Sequence, residues 1–330
     1  MNILVTGGAG YIGSHACKAL AAAGYTPVTY DNLSRGNRWA VKWGALEVGD
    51  TGDIERVRAV LRKYEPLGVM HFSAYAYVGE STQKPLLYYR NNFNSTETFL
   101  ETMLEYAPLP FIFSSTCATY GLPQELPITE EHPQNPINPY GHSKLFVERL
   151  LRDLEKSHGL PSVALRYFNA AGADPEGAIG EVHSPETHLI PLALQSAMTG
   201  EPIQVYGTDY NTPDGTCVRD FVHVADIADA HVKALRHLLE GGKSCMLNLA
   251  NSRGYSVKEV IAIAEDVTGR TINVQLAERR DGDPGILIGD ASRSRAVLNW
   301  EPCRSDLRTQ IQDAWNWIRQ WSKAKNEAHD

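Results

Sequence analysis

Two residues near the middle of the chain, Tyr140 and Lys144, have the types and spacing of an acid–base pair. They stand in the sequence Pro-Ile-Asn-Pro-Tyr-Gly-His-Ser-Lys, residues 136–144. Asn138 is a preferred N-cap and Pro139 suits a first helical turn, so a helix is predicted to begin here. Residues four apart share one face of a helix. The ammonium group is therefore expected to lower the pKa of the phenol, which could then exchange a proton with an alcohol hydroxyl.

A hydroxyl-rich strand end lies upstream of this pair. Ser114, Ser115 and Thr116 close a predicted buried strand, residues 111–116. Ligands of open parallel sheets bind beyond the carboxyl ends of the strands, where a hydroxyl can hydrogen-bond a substrate oxygen and relay its proton. We therefore expect Thr116 to join Tyr140 and Lys144 in one catalytic group. Cys117 is expected to be a small packed residue, because no adjacent base would activate its thiol.

A glycine-rich turn at the start of the chain is typical of dinucleotide binding. Glycines 7, 10 and 13 lie between a predicted strand, residues 2–6, and an alanine-rich predicted helix. Gly7 permits the tight turn, Gly10 lets a pyrophosphate approach the backbone, and Gly13 lets the helix pack close to the strand. The free N–H groups of the helix start would then face the phosphates.

An acidic residue follows the next strand and indicates which dinucleotide is bound. The predicted strand at residues 26–30 ends in Asp31, whose carboxylate can accept hydrogen bonds from both ribose hydroxyls and repels a 2′-phosphate. This favours NAD over NADP, although the nearby Arg35 has the charge that would favour NADP. Asp50, at the end of a third predicted strand, could reach the adenine amino group.

The alternation of predicted strands and helices over the first 170 residues is typical of a doubly wound parallel sheet. Further strands are predicted at 67–72, 111–116, 163–167 and 245–249, and helices at 53–63, 85–106, 187–199, 224–240, 256–267 and 307–321. The stretch 204–223 is predicted to be loop-rich. We predict an α/β Rossmann domain at residues 1–170, rejoined by about 217–250, and a smaller mixed α/β substrate domain at 171–330.

Charge and composition restrict the partners and the compartment. A net charge of −8 disfavours nucleic acid, because binding to its phosphate backbone requires a basic surface. No apolar run is long enough to span a membrane, and the strand-like start argues against a signal peptide. The five cysteines are scattered and lack metal-ligand spacing, so we expect a reduced cytoplasmic location and no metal site.

Three arginines stand out in this acidic chain as candidates for binding a phosphate group. Arg219 lies in the predicted loop, and Arg279 and Arg280 stand together in a second loop. Arginine binds phosphate in a bidentate manner, so the Arg279–Arg280 pair is a candidate phosphate clamp.

These motifs together identify a resemblance that covers essentially the whole chain. The sequence resembles the extended short-chain dehydrogenase/reductases and, within them, the UDP-glucose 4-epimerases. The segments that carry the resemblance are residues 6–15, 31–32, 78–81, 114–116, 140–144, 166–169, 214–220 and 279–283. The resemblance implies a tightly held NAD⁺ and no net redox change. Tyr140 would take the proton of the sugar 4-hydroxyl while hydride passes from C4 to the nicotinamide. The 4-keto sugar would then turn and accept hydride on its other face.

The resemblance also implies a set of site residues. Lys144 would hold the cofactor ribose and lower the pKa of Tyr140, and Thr116 would hydrogen-bond the 4-oxygen. The implied cofactor-binding residues are Gly7, Gly10, Tyr11, Ile12, Gly13, Asp31, Asn32, Asp50, Thr51, Phe72, Ser73, Ala74, Asn91, Ser114, Tyr140, Lys144 and Phe168. The implied substrate-binding residues are Thr116, Asn169, His188, Leu189, Gln204, Tyr206, Arg219, Arg280 and Asp283.

The substrate and its close rivals are expectations of the same resemblance. UDP-glucose and UDP-galactose are the expected substrates, but the run at residues 115–120 also resembles that of UDP-xylose 4-epimerases, so UDP-pentoses remain an alternative. A 4,6-dehydratase would need an Asp-Glu pair where Cys117 and Ala118 stand. A non-catalytic NAD sensor would be expected to lose Tyr140, Lys144 or Thr116. The family suggests a homodimer, with the helices at about 85–106 and 140–158 as candidates for the contact.

Overall fold

The strands are short and divide among three sheets. The computed structural model describes residues 1–280 and 282–327. Its strands are Asn2–Thr6 (β1), Thr26–Asp31 (β2), Ala45–Val48 (β3), Val69–His71 (β4), Phe111–Thr116 (β5), Ser162–Tyr167 (β6), Asn169–Ala171 (β7), Ile203–Tyr206 (β8), Val218–His223 (β9), Cys245–Leu249 (β10), Gly254–Ser256 (β11), Val274–Ala277 (β12) and Ile286–Leu287 (β13).

The helices connect these strands and cover both faces of the main sheet. They are Tyr11–Ala22 (α1), Ile54–Tyr64 (α2), Val78–Gln83 (α3), Pro85–Tyr88 (α4), Ser95–Tyr106 (α5), Pro139–His158 (α6), Leu189–Thr199 (α7), Val224–Leu239 (α8), Val257–Thr268 (α9), Ser292–Leu298 (α10) and Leu307–Glu327 (α11). Within the described ranges, none of them combines the length and the apolar composition that crossing a membrane requires.

The main sheet is parallel throughout, in the order β10-β6-β5-β4-β1-β2-β3. Its central strands are buried on both faces, as the apolar run at the start of β5 predicts. Helices α1 and α8 pack on one face, and α2, α5 and α6 cover the other. The strand order reverses between β1 and β4, which places a ligand crevice at the carboxyl ends of these strands. The predicted doubly wound α/β fold is confirmed.

The remaining strands form a smaller region after β6. Strand β9 pairs with β7, β11 and β13, and β8 pairs with β12. Apolar side chains of α7, α9 and α11 form the core of this region. The stretch 204–223, predicted to be loop-rich, is loop at 207–217, but it also contains most of β8 and all of β9, which were not predicted. Both strands are short and pair with segments far along the chain, so no local pattern marks them.

The predicted helix at 85–106 is interrupted rather than regular. The chain forms α4, then a π-helical segment at Tyr89–Asn94, then α5. This segment buries Asn92, whose side chain donates to the carbonyl of Tyr75 at 2.9 Å and to the hydroxyl of Ser143 at 3.2 Å. Such π-helical insertions are frequent at functional sites. Here the insertion ties the helix to α6 and to the loop that follows β4.

Candidate active site

The start of α6 places Tyr140 beside the end of β5. Asn138 caps the helix by accepting a hydrogen bond from the Gly141 backbone at 2.8 Å, as predicted. A Cβ atom on Gly141 would lie 2.5 Å from the carbonyl oxygen of Ala118, so glycine permits this close approach. The contact seats the first turn of α6 on the backbone that follows Thr116.

Burial dominates the acid–base properties of the Tyr140–Lys144 pair. Burial raises the pKa of Tyr140 to about 12, and the neighbouring Thr116 hydroxyl acts in the opposite direction. Lys144 is 2% exposed, and its ammonium donates to the carbonyl of Ser114 at 2.7 Å and lies 4.8 Å from the centroid of the Phe113 ring. Burial lowers the pKa of Lys144 to about 7, while the charge of Glu148 acts to raise it.

One expectation about this pair needs correction. We expected the Lys144 ammonium to lower the pKa of Tyr140, whereas the pKa of the phenol is raised in this structure. Tyr140 and Lys144 lie one turn apart on α6, but removal of water raises the pKa of the phenol. Burial also lowers the pKa of the amine to about 7, so only about half of it is charged at pH 7. Both pKa values therefore disfavour the charged forms of the two groups. A ligand that brings positive charge to this space would favour the phenolate of Tyr140.

A buried ion pair that sequence reasoning missed holds this helix against the sheet. Glu148, one turn after Lys144, accepts hydrogen bonds from Ser115 at 2.5 Å and from Arg166 at 2.6 and 2.8 Å. Burial opposes the charge of Glu148, but the bonds from Arg166 keep its pKa below the ordinary value. The three residues join α6, β5 and β6, and so fix the distance between the Tyr140–Lys144 face and the strand that carries Thr116.

The glycine turn has the geometry that dinucleotide binding requires. Gly7 has φ of +70°, and a Cβ there would lie 2.6 Å from the backbone nitrogen of Ser73. A Cβ on Gly13 would lie 2.2 Å from the oxygen of Gly7, so α1 packs directly on the turn. At Gly10 the closest atom would be 3.3 Å away, and this N-cap residue places no side chain over the helix start. The turn thus fits a pyrophosphate at the N-terminus of α1.

Asp31 retains the acceptor capacity that the predicted ribose contact requires. Its carboxylate accepts from the backbone of Ala9 at 3.0 Å and of Leu33 at 2.8 Å, which leaves further acceptor capacity. Burial raises the pKa of Asp31, and the two backbone bonds oppose this rise. Arg35 is engaged elsewhere, in an ion pair with Glu80 at 2.8 Å. The residue that favoured NADP is therefore already neutralised, which agrees with the preference for NAD.

The other predicted cofactor residues surround the same edge of the main sheet. Asn32 donates to Asp50 at 2.8 Å, and Tyr11 donates to the carbonyl of Gly172 at 2.6 Å. Asn91 donates to the neighbouring Asn92 at 2.9 Å. Ile12 lies in the first turn of α1, Thr51 follows β3, Phe72, Ser73 and Ala74 follow β4, Ser114 lies in β5, and Phe168 follows β6.

The arginines predicted to hold a diphosphate lie on the smaller region. Arg219 on β9 forms an ion pair with Asp283 at 2.5 Å. The Arg280 guanidinium lies 3.9 Å from the centroid of the Tyr206 ring, and the Tyr206 hydroxyl donates to Gln204. Arg279 instead binds Asp209. Of the Arg279–Arg280 pair, only Arg280 therefore joins the other predicted substrate residues.

Arg219 and Arg280 lie close to the start of helix α6. The charge of Arg219 acts on the thiol of Cys117, the residue after Thr116. Burial raises the pKa of Cys117 to about 12, in agreement with a packed rather than a nucleophilic thiol. A Cβ on Gly282 would lie 3.3 Å from the side chain of Ile137, which immediately precedes the N-cap of α6. The residues predicted to bind an anion and those predicted to exchange a proton therefore lie near one another.

Of the predicted substrate residues near the start of α7, His188 lies in a cluster that was not predicted. Asn169 on β7 donates to the carbonyl of Asp220 at 2.9 Å, within the arginine region, and Leu189 begins α7. His188 instead contacts Glu181 at 2.6 Å and Glu186 at 3.2 Å. Sequence reasoning missed this cluster, although its signal is present as two Glu-x-His repeats within residues 181–188.

The fold and the site together define a class of enzyme. A glycine turn at the switch point of a parallel sheet, an acidic residue after β2 and a Tyr-Lys pair beside a threonine are the parts of a Rossmann-type enzyme that oxidises or reduces an alcohol through a nicotinamide. The chain belongs to the NAD dependent epimerase/dehydratase family, and the sequence model of that family matches residues 3–250. Its cofactor is therefore NAD.

Within this family, the chain is similar to UDP-glucose 4-epimerases. The chain is 53% identical over 317 residues to a UDP-glucose 4-epimerase of Rhizobium meliloti (strain 1021), covering 96% of each chain. The crystal structure of a UDP-glucose 4-epimerase from Brucella ovis in complex with NAD is 49% identical, with a TM-score of 0.93 over 95% of this chain and 97% of that one. A UDP-glucose-4-epimerase from Stenotrophomonas maltophila with bound NAD and formylated UDP-arabinopyranose is 38% identical, with a TM-score of 0.94 over 98% and 99% of the two chains.

Proposed function

We propose that the protein interconverts UDP-glucose and UDP-galactose by inverting carbon 4 of the sugar. The observation that carries this proposal is the position of Arg219 and Arg280 beside the helix that bears Tyr140 and Lys144. An enzyme that acts on a small free alcohol would have no use for these arginines, because such a substrate carries no phosphate group. A nucleotide sugar needs both an anchor for its diphosphate and an acid–base group at its ring.

The residues of the chain divide the chemistry as follows. NAD supplies a hydride acceptor that returns the hydride, so the reaction has no net redox change. Tyr140 removes the proton of the 4-hydroxyl and returns it, and Thr116 hydrogen-bonds the same oxygen. Lys144 would hold the cofactor ribose and, in its protonated form, favour the phenolate of Tyr140. These roles account for the presence of all three side chains in one crevice.

The diphosphate anchor allows the sugar to turn without leaving. Arg219 and Arg280 would each form charge-assisted hydrogen bonds to phosphate oxygens, and Asp283 holds Arg219 in orientation through their ion pair at 2.5 Å. Asn169, Leu189, Gln204 and Tyr206 line the same region. Because the anchor is remote from carbon 4, the keto sugar can present either face to the cofactor while it remains bound.

A UDP-pentose substrate is the second candidate function. The sequence at residues 115–120 resembles that of UDP-xylose 4-epimerases. The Stenotrophomonas maltophila relative was crystallised with formylated UDP-arabinopyranose, a pentose derivative. A pentose differs from a hexose only in the group at carbon 5, which none of the acid–base residues contacts in the proposed arrangement. The same catalytic group would therefore serve both sugars.

We further propose a cytoplasmic homodimer and a two-part chain. Helix α6 and the preceding helical segments expose the apolar side chains of Leu86, which is 67% exposed, and Phe146, which is 36% exposed. Pairing of these faces in two copies would bury them.

The parallel pairing of β10 with β6 supports assigning residues 217–250 to the nucleotide-binding domain together with 1–170. The rest of 171–330 would then form the substrate domain.

The proposed reaction can be tested by NMR without any added cofactor. Purified protein is incubated with UDP-glucose in one tube and with UDP-xylose in another. Conversion of UDP-glucose to UDP-galactose is expected and would support the epimerase reaction, retained NAD and hexose use together. Conversion of UDP-xylose alone would indicate that the enzyme is a 4-epimerase of UDP-pentoses and not of UDP-hexoses. Conversion of neither would contradict the proposal.

A further inference from the structure

The loop between β7 and α7 brings four metal-ligating side chains together. Glu181, His183, Glu186 and His188, here called the Glu–His cluster, each present one ligand atom, and these four atoms lie within 4.8 Å of one another. The four residues belong to the two Glu-x-His repeats at 181–183 and 186–188. Our expectation of no metal site considered cysteine spacing and did not consider these repeats.

The distances within the cluster suit a single small cation. Nδ1 of His183 lies 2.9 Å from an oxygen of Glu181 and 3.8 Å from an oxygen of Glu186. Nδ1 of His188 lies 2.6 and 3.2 Å from oxygens of the same two carboxylates. A tetrahedral zinc ion about 2.0–2.2 Å from each ligand separates the ligand atoms by about 3.3 Å. The observed separations bracket that value.

The hydrogen bonding inside the cluster is incomplete, although its atoms are close. The Glu181 side chain is 7% exposed, and its Oε1 atom and Nδ1 of His183 are buried without an aligned hydrogen bond. These two atoms lie 2.9 Å apart but do not form an aligned hydrogen bond with each other. Buried polar atoms of this kind require a partner, and a shared cation would provide one for both.

The backbone of the loop is fixed, so the ligands are preorganised. The indole nitrogen of Trp317 on α11 donates to the carbonyl of Glu181 at 3.2 Å. Glu186 accepts from the backbone of Thr187 at 2.8 Å and of His188 at 2.9 Å. These contacts fix the backbone at Glu181 and orient the carboxylate of Glu186 through one of its oxygens, so the loop need not become ordered at the moment of binding.

We propose that the Glu–His cluster binds one transition-metal cation of the Zn²⁺ class. Two imidazole nitrogens and two carboxylate oxygens are a ligand set of zinc chemistry, whereas Mg²⁺ and Ca²⁺ take oxygen ligands. When both imidazoles are neutral, as metal ligation requires, the doubly positive ion would balance the Glu181 and Glu186 carboxylates. It also ties together the loop that packs on the dinucleotide turn, since the ring of His183 lies 6.4 Å from that of Tyr11. The proposal does not depend on the identity of the sugar substrate.

Metal stoichiometry on tag-free protein tests this proposal. The protein is treated with dipicolinate, dialysed against Zn²⁺ or Mg²⁺, and analysed by mass spectrometry for metal per chain. We expect one Zn²⁺ per chain, no retained Mg²⁺, and an intense visible absorption of a four-coordinate site when Co²⁺ replaces Zn²⁺. Glu181→Gln and His183→Gln should each weaken Zn²⁺ binding by more than about tenfold. His158→Gln, at an exposed histidine on α6, is the matched control and should bind like the wild type.

Several outcomes would overturn the site. Wild-type protein that retains no Zn²⁺ after dialysis contradicts it, and so does equal Zn²⁺ binding by a folded His183→Gln variant, which would indicate adventitious binding only. Circular dichroism establishes whether each variant is folded. If both variants fail to fold, the Co²⁺ spectrum of the wild type decides, because the weak absorption of a six-coordinate ion would exclude the proposed ligand set.

Discussion

At the scale of single residues, the surroundings of Tyr140 and Lys144 determine their protonation more than their spacing does. The sequence predicts the pair, its helix and its neighbour Thr116. It does not predict that burial raises the pKa of the phenol to about 12 and lowers the pKa of the amine to about 7. Those values depend on packing against β5 and on removal of water, which involve residues distant in the chain. A residue pattern can therefore identify an acid–base group without fixing its working pH.

The hydroxyl of Tyr140 is expected to be essential for turnover. Tyr140→Phe removes the proton-exchanging group and retains the ring, so epimerisation should fall by about 10²–10⁴-fold. Cofactor binding should persist, because the glycine turn and Asp31 are unchanged. NMR measures the activity, and NAD released on denaturation measures the cofactor. Near wild-type turnover would remove Tyr140 from the mechanism.

The two neighbouring arginines are expected to differ in function. Arg280→Ala removes charge-assisted hydrogen bonds to a diphosphate and should raise KM for UDP-sugars by about ten- to hundredfold. Arg279→Ala is the matched control, because its guanidinium binds Asp209 and lies 4.2 Å from the centroid of the Tyr210 ring. Steady-state kinetics on both variants provide the comparison. Equal KM values would place Arg280 outside the site.

At the scale of elements, α6 is held against the sheet by the buried pair of Glu148 and Arg166. The sequence predicts α6 through its cap and its apolar spacing, because both signals are local. It does not predict β8 or β9, whose partners lie far along the chain. Nor does it predict the Glu148–Arg166 contact, which joins a helix to a strand across the fold. Local structure was thus predictable, and the contacts that set the geometry of the site were not.

Removing the charge of Glu148 should destabilise the fold. Glu148→Gln leaves the guanidinium of Arg166, which is 2% exposed, without its carboxylate, and the free energy of unfolding should fall by about 3–5 kcal/mol. Urea denaturation followed by circular dichroism measures this change. Glu155→Gln, at an exposed position on the same helix, should alter stability by less than about 0.5 kcal/mol. Equal stability of the two variants would show that the buried pair does not hold α6.

At the scale of the whole molecule, the crevice lies between a nucleotide-binding sheet and a smaller region built after β6. The sequence predicts both parts, because alternation of strands and helices marks the first and its loss marks the second. The Glu–His cluster arises only where the loop before α7 folds back towards the glycine turn. Its spacing was present in the sequence, but its meaning depended on a loop conformation that residue patterns do not determine.

The cysteines offer a pH-dependent test of burial across the whole fold. Only a thiolate reacts with iodoacetamide. Burial raises the pKa of Cys17 and Cys117 to about 12 and that of Cys245 to about 11, so their thiolate fraction stays low at pH 8 and increases only as the pH approaches those values. Cys303 is exposed and should be labelled first. Mass spectrometry of native protein treated at pH 8 should locate the early label there, and rapid labelling of Cys117 would contradict the packed site.

The central claim is that carbon 4 of a UDP-hexose is oxidised and reduced on the same bound cofactor. UDP-glucose deuterated at carbon 4 tests this claim most directly, with purified protein, no added NAD and ordinary water. If the bound cofactor returns the hydride that it removed, the UDP-galactose formed retains deuterium at carbon 4, because the hydride never leaves the site. UDP-galactose that carries solvent hydrogen at carbon 4, or deuterated UDP-glucose that remains unconverted, would contradict it.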